Sequence, residues 1–254
     1  MTKDGGRRIA IAGGAMLADP ARLDDGAVTP ADPLFEPAWW RARGLVHSAS
    51  RGRGSAWFVA AGTRQWVLRH FRRGGWLAVL AADRYVWTGE ARVRSFAEWR
   101  LLATLSALEL PVPQPVAARY QRGWLTYRCD LITQRLGDGR PLSDVLVETP
   151  VDAQRWRAIG AAIARLHRAG VDHADLNAHN LLIDSLGAVS IIDFDRGRLR
   201  AAGRWRSANL RRLHRSLVKI TAPLPPGRFL PADWANLLAG YEAPLAEAPL
   251  SAVE

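Results

Sequence analysis

The pattern of apolar and polar positions changes period several times along the chain, and each change marks an element. Arg7-Arg8 followed by Ile9 to Ala18, interrupted by Gly13-Gly14 and running into Asp19, predicts an N-terminal hairpin in preference to an export signal, because no cleavage pattern follows. SAWFVAAG, in which Trp57 and Val59 share one face, and TRQWVLR predict two strands over 55–69 joined at Ala61-Gly62. Leu101, Leu102, Leu105 and Leu108 recur at helical spacing, so a helix spans 95–108 and is closed by Pro111 and Pro113. WLTYRCDLITQRL (124–136) reads as a strand leading into GDGRP, a hinge between a first lobe, 1–135, and a second, 136–254.

The second half opens on the clearest helical stripe of the chain. Thr149 is placed as N-cap, Pro150 in the first helical position and Asp152 shortly after; Trp156, Ile159, Ile163 and Leu166 line one face, and Gly170 ends the helix. LLID (181–184) and VSIIDF (189–194) read as short strands around Ser185-Leu186-Gly187. Residues 207–219 read as a helix on which, at about 100° per residue, Leu210, Leu213 and Leu217 share one side while Arg211, Arg212 and Arg215 project together from another. Pro223 to Pro231 breaks the chain before a last short helix over 232–241.

Composition narrows the class. With 254 residues and 48% apolar content the chain can bury a core, which excludes disorder as its dominant state. The net charge of +11 favours phosphates, an anionic membrane surface or nucleic acid as partners, and since Lys occurs only at positions 3 and 219, the cations are nearly all Arg. Cys129 stands alone and cannot form an intrachain disulfide, and no apolar run approaches the ~18 residues of a membrane span.

Residues 173–195 carry the chemistry. Phosphoryl transfer needs a carboxylate to orient the attacking hydroxyl and hard oxygens to hold a divalent cation on the phosphates. His173-x-Asp175, with Asn180 five residues after the Asp and Asp193 eighteen after it, offers that set, and the two intervening strands return Asp193 toward Asp175. The alternative makes Asp175, Asn177 and Asn180 turn residues and Asp193 a strand-end cap, leaving the joint spacing to accident. His167, His173 and His179 lack zinc-ligand spacing; His167 reads as a helix-end residue and His173 as a scaffold of its loop.

GRGSAWFV (52–59), VLRHFRRGG (67–75), YVWTGE (85–90), EWRLL (98–102), LPVPQPVAA (110–118), HADLNAHNLL (173–182) and IIDFDRGRLR (191–200) together resemble the protein-kinase-like superfamily and, within it, the lipopolysaccharide core kinases. The resemblance covers most of residues 45–220, and FRRGG and DFDRGRLR narrow it to members acting on 3-deoxy-D-manno-octulosonic acid (Kdo). It implies an α+β, two-lobed kinase-like fold with a β-rich nucleotide-binding N-lobe and a mainly helical C-lobe. It also implies ATP- and Mg²⁺-dependent phosphorylation of a Kdo hydroxyl in a Kdo-lipid A precursor, by a peripheral enzyme at the cytoplasmic face of the bacterial inner membrane. By position, Asp175 matches the catalytic base, Asn180 and Asp193 the metal ligands, and Glu98 the helix carboxylate that braces the nucleotide-contacting cation.

That cation departs from the kinase pattern: no Lys lies on the strand before the helix, and Arg69 matches best, with Arg64 as a weaker competitor. For Glu98 the alternative is a capping box with Ser95, and for Arg69 a solvated strand position. Gly52 and Gly54 in SASRGRGS allow backbone N–H groups to approach phosphates, although a plain hairpin turn explains them nearly as well. Ala174 and Asn177 stand where protein kinases carry Arg and Lys, and about sixty residues follow Asp195, which favours a small-substrate kinase.

Two acid-free blocks, eight cations between Pro37 and Ala82 and ten between Arg196 and Ala232, are expected to border the cleft mouth and serve a phosphorylated lipid acceptor, with Arg211, Arg212 and Arg215 as the acceptor-binding set. Trp39, Trp40, Trp76 and Trp87 read either as interface anchors or, more commonly for such residues, as core. No nucleic-acid-binding motif accompanies the charge, so nucleic acid is not expected as a partner, and oligomeric state is left open. The competing functions are a kinase for another core sugar such as heptose, and an inactive kinase-like binding protein suggested by the missing Lys.

Overall fold

Alternating apolar positions in the first half close into one antiparallel sheet. The computed structural model describes residues 6–23, 33–49, 56–72 and 83–246. The chain separates into two compact units, Met1–Ala107 with Pro113–Arg135 and Leu108–Val112 with Leu136–Glu254. Together the described residues make a mixed α+β protein.

In the first unit β1 (Arg7–Ile11) and β2 (Gly14–Ala18) form the expected hairpin, with Gly13 at φ 73° in its turn. Two short helices, α1 (Pro20–Leu23) and α2 (Pro37–Ala42), precede β3 (Val46–Ala49), β4 (Ala56–Ala61) and β5 (Arg64–His70). β6 (Tyr85–Val86), α3 (Arg94–Ala107), β7 (Pro115–Arg122) and β8 (Thr126–Gln134) complete the unit. The strand order is β1-β2-β7-β8-β5-β4-β3, with β6 on β8. Trp66 and Leu68 of β5 and Ile132 of β8 point into the core, where Trp40 stands edge-on to Trp66 at 6.0 Å. Trp40 is therefore a core residue and not an interface anchor: it is fully buried, and its indole Nε1 donates to Leu34 O at 2.7 Å. Trp39 and Trp87 are half-buried, and Trp76 lies outside the described residues.

The second unit contains β9 (Arg140–Pro141), α4 (Leu142–Glu148), α5 (Ala153–Arg168), β10 (Val171–Asp172), β11 (Leu181–Ile183), β12 (Val189–Ile191), β13 (Arg198–Leu199), α6 (Trp205–Thr221) and α7 (Pro231–Ala246). GDGRP is not linker throughout, since Arg140 and Pro141 pair with β11 as β9. Asp152, not Thr149, caps α5: its carboxylate accepts from Arg155 N at 2.8 Å, whereas Thr149 closes α4 by donating its N–H to Val145 O. Trp156, Ile159, Ile163 and Leu166 are buried as the stripe predicts. α5 and α7 touch through glycines, because a Cβ on Gly160 would stand 2.0 Å from Leu237 O and one on Gly240 2.1 Å from Arg157 O. The last helix is longer than its sequence pattern indicates, and among the described residues no helix is long and apolar enough to cross a membrane.

One ionic network ties the first unit's strands together. Asp130 on β8 is buried, accepting from Arg119 Nε at 2.7 Å and sharing 2.6 Å with His70 Nδ1 on β5. That hydrogen bond raises the His70 pKa against the opposing effect of burial. A raised folded-state pKa means that the charged pair stabilises fully below the unfolded value and that the contribution is lost as pH rises through the folded one. The Tm difference between wild type and His70→Gln is accordingly expected to be largest near about pH 6 and to shrink toward about pH 9. Parallel Tm profiles across that range would refute this.

Candidate active site

The first unit supplies a guanidinium and a carboxylate from neighbouring elements. Alternation along β5 turns Trp66 and Leu68 inward, which puts Arg69 on the opposite face. There Arg69 Nη2 pairs with Glu98 Oε2 of α3, whose side chain is only 2% exposed, and the guanidinium carbon lies 4.6 Å from the Phe71 ring. The capping box does not form: α3 begins at Arg94, and Ser95 Oγ instead donates to Arg119 O at 2.9 Å. Arg64, on the same strand, donates to the carbonyls of Ala21 and Arg22 at 3.2 and 2.5 Å and so closes α1. Gly52 and Gly54 lie outside the described residues.

The second unit builds its site around His173. Its Nε2 donates to Ile192 O at 3.0 Å, and its Nδ1 accepts from Asp175 N at 3.3 Å, which fixes the neutral Nε2–H tautomer. Burial pushes its pKa down, in keeping with that tautomer, and its ring stands edge-on to Phe194 at 4.8 Å. Asn177 and Asn180 both donate side-chain N–H to Asp175 O, at 2.9 and 3.0 Å, so the loop is closed on the backbone of Asp175 while its carboxylate stays exposed. His167 is a buried helix-end residue, sharing 2.8 Å with Tyr241 Oη and pushed down to about 4 by burial.

β11 and β12 bring Asn180 and Asp193 to adjacent strand ends. Leu181 registers with Ile191, and Ile192 N donates to Asn180 O at 3.0 Å, so Asp193 follows directly on the residue paired with Asn180. Asn180 uses its amide N–H on Asp175 O, which orients Oδ1 as the acceptor; with the Asp193 carboxylate this makes two hard oxygens. Among the described residues no group of three or more His, Cys, Asp or Glu could hold a metal unaided. A set this small fits a divalent cation that phosphate oxygens also ligate.

α6 grips the loop through residues whose partners the sequence reading missed. Asn209 Oδ1 accepts from His173 N at 3.0 Å, Arg212 Nη1 meets Asp175 Oδ1 at 3.3 Å, and Ser216 Oγ accepts from Ala178 N at 3.2 Å. Asn209 also donates to Asp172, which Arg200 contacts at 3.0 Å. The 209, 212, 216 spacing marks one helical face and was the available signal. Leu213 and Leu217 are buried as expected, but Leu210 is only half-buried. The three arginines also separate: Arg212 turns to Asp175, whereas Arg211 and Arg215 line a groove of about 440 Å³ with His214, Trp234 and Leu238.

Residues 37–241 match the model of the lipopolysaccharide kinase (Kdo/WaaP) family. The chain belongs to that family. It is 49% identical over 230 residues, 90% of each chain, to a protein of Xanthomonas euvesicatoria pv. vesicatoria (strain 85-10) named 3-deoxy-D-manno-octulosonic acid kinase. Proteins of the same name from Xanthomonas oryzae pv. oryzae (strain PXO99A) and Xylella fastidiosa (strain 9a5c) are 46% identical over 90% of each chain and 50% identical over 74% of this chain and 75% of theirs.

In this Kdo/WaaP kinase family member Asp193 has φ 66°, a left-handed backbone that costs a residue with a Cβ roughly 1–2 kcal/mol. Asp193→Gly and Asp193→Ala remove the same carboxylate, but only glycine relieves the backbone. The glycine variant is expected to be about 1 kcal/mol more stable than the alanine variant in urea unfolding, with catalysis lost in both. Equal stabilities would remove strain from the account.

Proposed function

We propose that this kinase transfers the γ-phosphate of ATP to a hydroxyl of Kdo in a Kdo-lipid A precursor, with Mg²⁺ as its cation, peripherally at the cytoplasmic face of the bacterial inner membrane. The observation that carries the reading is identity of 49% over 90% of both chains to a protein named for Kdo phosphorylation. Arg69, ion-paired with buried Glu98, supports catalytic competence despite the missing Lys, because a guanidinium held in a fixed direction binds phosphate oxygens through its planar fork.

Asp175 accepts the proton that the sugar hydroxyl loses as its oxygen bonds to the γ-phosphorus and the bond to the ADP oxygen breaks. Asn180 Oδ1 and the Asp193 carboxylate hold the divalent cation, which when bound neutralises phosphate charge. His173 keeps the Asp175 backbone in register, and Asn177 and Asn180 restrain it from the other side. Arg212 is the acceptor-reading residue: it rests on Asp175 at 3.3 Å, and the carboxylate of a ulosonic acid draws it off and frees the base. Arg211 and Arg215 take anionic groups elsewhere on the acceptor.

ATP turnover with a Kdo-lipid A precursor is expected to exceed turnover with a heptosylated acceptor or with RNA; preference for either of those would overturn the reading. Asp175→Ala is expected to lose ~10²–10⁴ in rate while ATP still binds. Arg69→Ala is expected to impair ATP use strongly and Arg64→Ala mildly, since Arg64 is engaged with helix carbonyls; the reverse order would move the phosphate contact to Arg64.

The role of Arg212 separates from general binding by acceptor chemistry. Wild type is expected to discriminate at least about tenfold, in kcat/KM, between a free Kdo carboxylate and its methyl ester, and Arg212→Gln to lose that discrimination. A variant that still discriminates would assign the carboxylate to another residue.

A further inference from the structure

Exposed large apolar residues lie on neighbouring backbone segments at one end of the first unit's sheet. Trp124 is 89% exposed and Leu125 65% exposed in the turn between β7 and β8, and Val86, on the adjoining strand β6, is 63% exposed. Gly123 N donates to Thr126 O at 2.7 Å and Trp87 N to Leu125 O at 2.9 Å, so the turn is tied both to itself and to its neighbour. Beneath it Trp87 packs on Tyr120 and Tyr127 at 5.1 and 5.9 Å, and Tyr127 packs on Tyr85 at 5.5 Å. Trp124 also borders a groove of about 490 Å³ that Trp87, Tyr120 and Arg122 line with it.

Cations surround the same turn. Arg84, Arg122 and Arg128 line a cavity of about 180 Å³ together with Gln121 and Thr126. Asp83 meets Arg128 at 2.7 Å and also faces His70 at 3.6 Å, which offsets that cation. Among the described residues neither Arg84 nor Arg122 pairs with a carboxylate, and Arg122 lies 4.8 Å from the Trp87 ring. The cavity is several times the roughly 30 Å³ share of a water, large enough for a phosphate group beside its guanidiniums.

We propose that this tip is a membrane-docking element: Trp124, Leu125 and Val86 enter the surface of an anionic phospholipid bilayer, and Arg84 and Arg122 take lipid phosphates. The inference deepens the peripheral-membrane reading above and names the surface that reading requires. Charge complementarity selects the occupant. An exposed indole beside aliphatic side chains, with Arg84 and Arg122 that pair with no carboxylate among the described residues, matches the headgroup boundary, where the apolar atoms leave water while the cations meet phosphate. A nucleic-acid surface would present several exposed aromatic faces for stacking, whereas of the rings lining the groove beside the turn Trp124 is exposed, Trp87 half-buried and Tyr120 buried.

Co-sedimentation of the full chain with vesicles tests the proposal. Wild type is expected to bind vesicles of phosphatidylglycerol and phosphatidylethanolamine more tightly than phosphatidylcholine vesicles, with binding weakened by salt. Trp124→Ser/Leu125→Ser is expected to lower partitioning at least about tenfold on the anionic vesicles with an unchanged Tm, because both side chains are already in water. Arg84→Gln/Arg122→Gln is expected to abolish the preference for phosphatidylglycerol and flatten the salt dependence. Partitioning of the serine variant equal to wild type would overturn the proposal, as would a wild-type dimer that the serine variant splits, since the tip would then cover a second copy. Phosphotransfer to a water-soluble Kdo glycoside is expected to be the same in the serine variant and wild type. Failure of wild type itself on that acceptor would count against the Kdo reading and leave the vesicle result standing.

Discussion

The arrangement of the second unit's site depends on one buried, neutral imidazole. His173 accepts at Nδ1 from the N–H of Asp175 and donates from Nε2 to the carbonyl of Ile192, so a single ring sets the loop that carries Asp175 against the segment that carries Asp193. Protonation would place a hydrogen on Nδ1 facing the Asp175 N–H, replacing an attraction with a repulsion. Burial disfavours that protonated form, and the Phe194 ring at 4.8 Å supplies part of the enclosure. The local effect is chemical: two segments eighteen residues apart in sequence are held by hydrogen bonds whose donors and acceptors cannot exchange roles.

A chain whose cations are almost all arginine also illustrates how differently one side chain can be used. Arg64 spends its donors on helix-end carbonyls, Arg119 bridges Asp130 and Glu36, Arg69 braces on Glu98, and Arg122 lies over an indole. Five N–H donors in a plane make all four uses possible, whereas an ammonium would satisfy the last two with less directional control. Net charge describes none of this. It is the partner of each guanidinium that separates structural arginines from those facing solvent or substrate.

The sequence made the strands and long helices legible because their burial is periodic: Trp66 and Leu68 alternate on β5, and Trp156, Ile159, Ile163 and Leu166 repeat on α5. It misplaced the start of α5 because Thr149 and Asp152 are both good capping residues, and only tertiary structure shows that α4 already ends at Thr149. β7 was missed since the prolines ahead of it, Pro111 and Pro113, read as a breaker, while Pro115 is accommodated as the first residue of the strand. Spacing picked out Asp175, Asn180 and Asp193 as candidates, and a resemblance picked out Arg69 and Glu98; the pairing of Arg212 with Asp175 was not legible. Helical angles place Arg212 on a face but cannot tell which loop that face will meet. Trp124 escaped notice for the opposite reason, because a single aromatic in a turn has no periodicity to set it apart.

Comparison of the carboxylates supports the proposal that Asp175 is the proton acceptor. Glu98 is buried against Arg69; Asp130 is buried between His70 and Arg119; Asp172, largely buried, accepts from Asn209 and Arg200. Each of these three carboxylates is buried and held by its partners, which ties it to the framework around it. Asp175 differs: its side chain is 57% exposed, and Arg212, with which it pairs at 3.3 Å, is itself 48% exposed. Water screens that contact, so an anionic ligand can displace it at little cost. Its backbone, by contrast, is fixed at both N–H and C=O, by His173 and by the two asparagines. The proposed base would have to keep its position while its carboxylate changes partners, and here the fold restrains the main chain and leaves the side chain exchangeable.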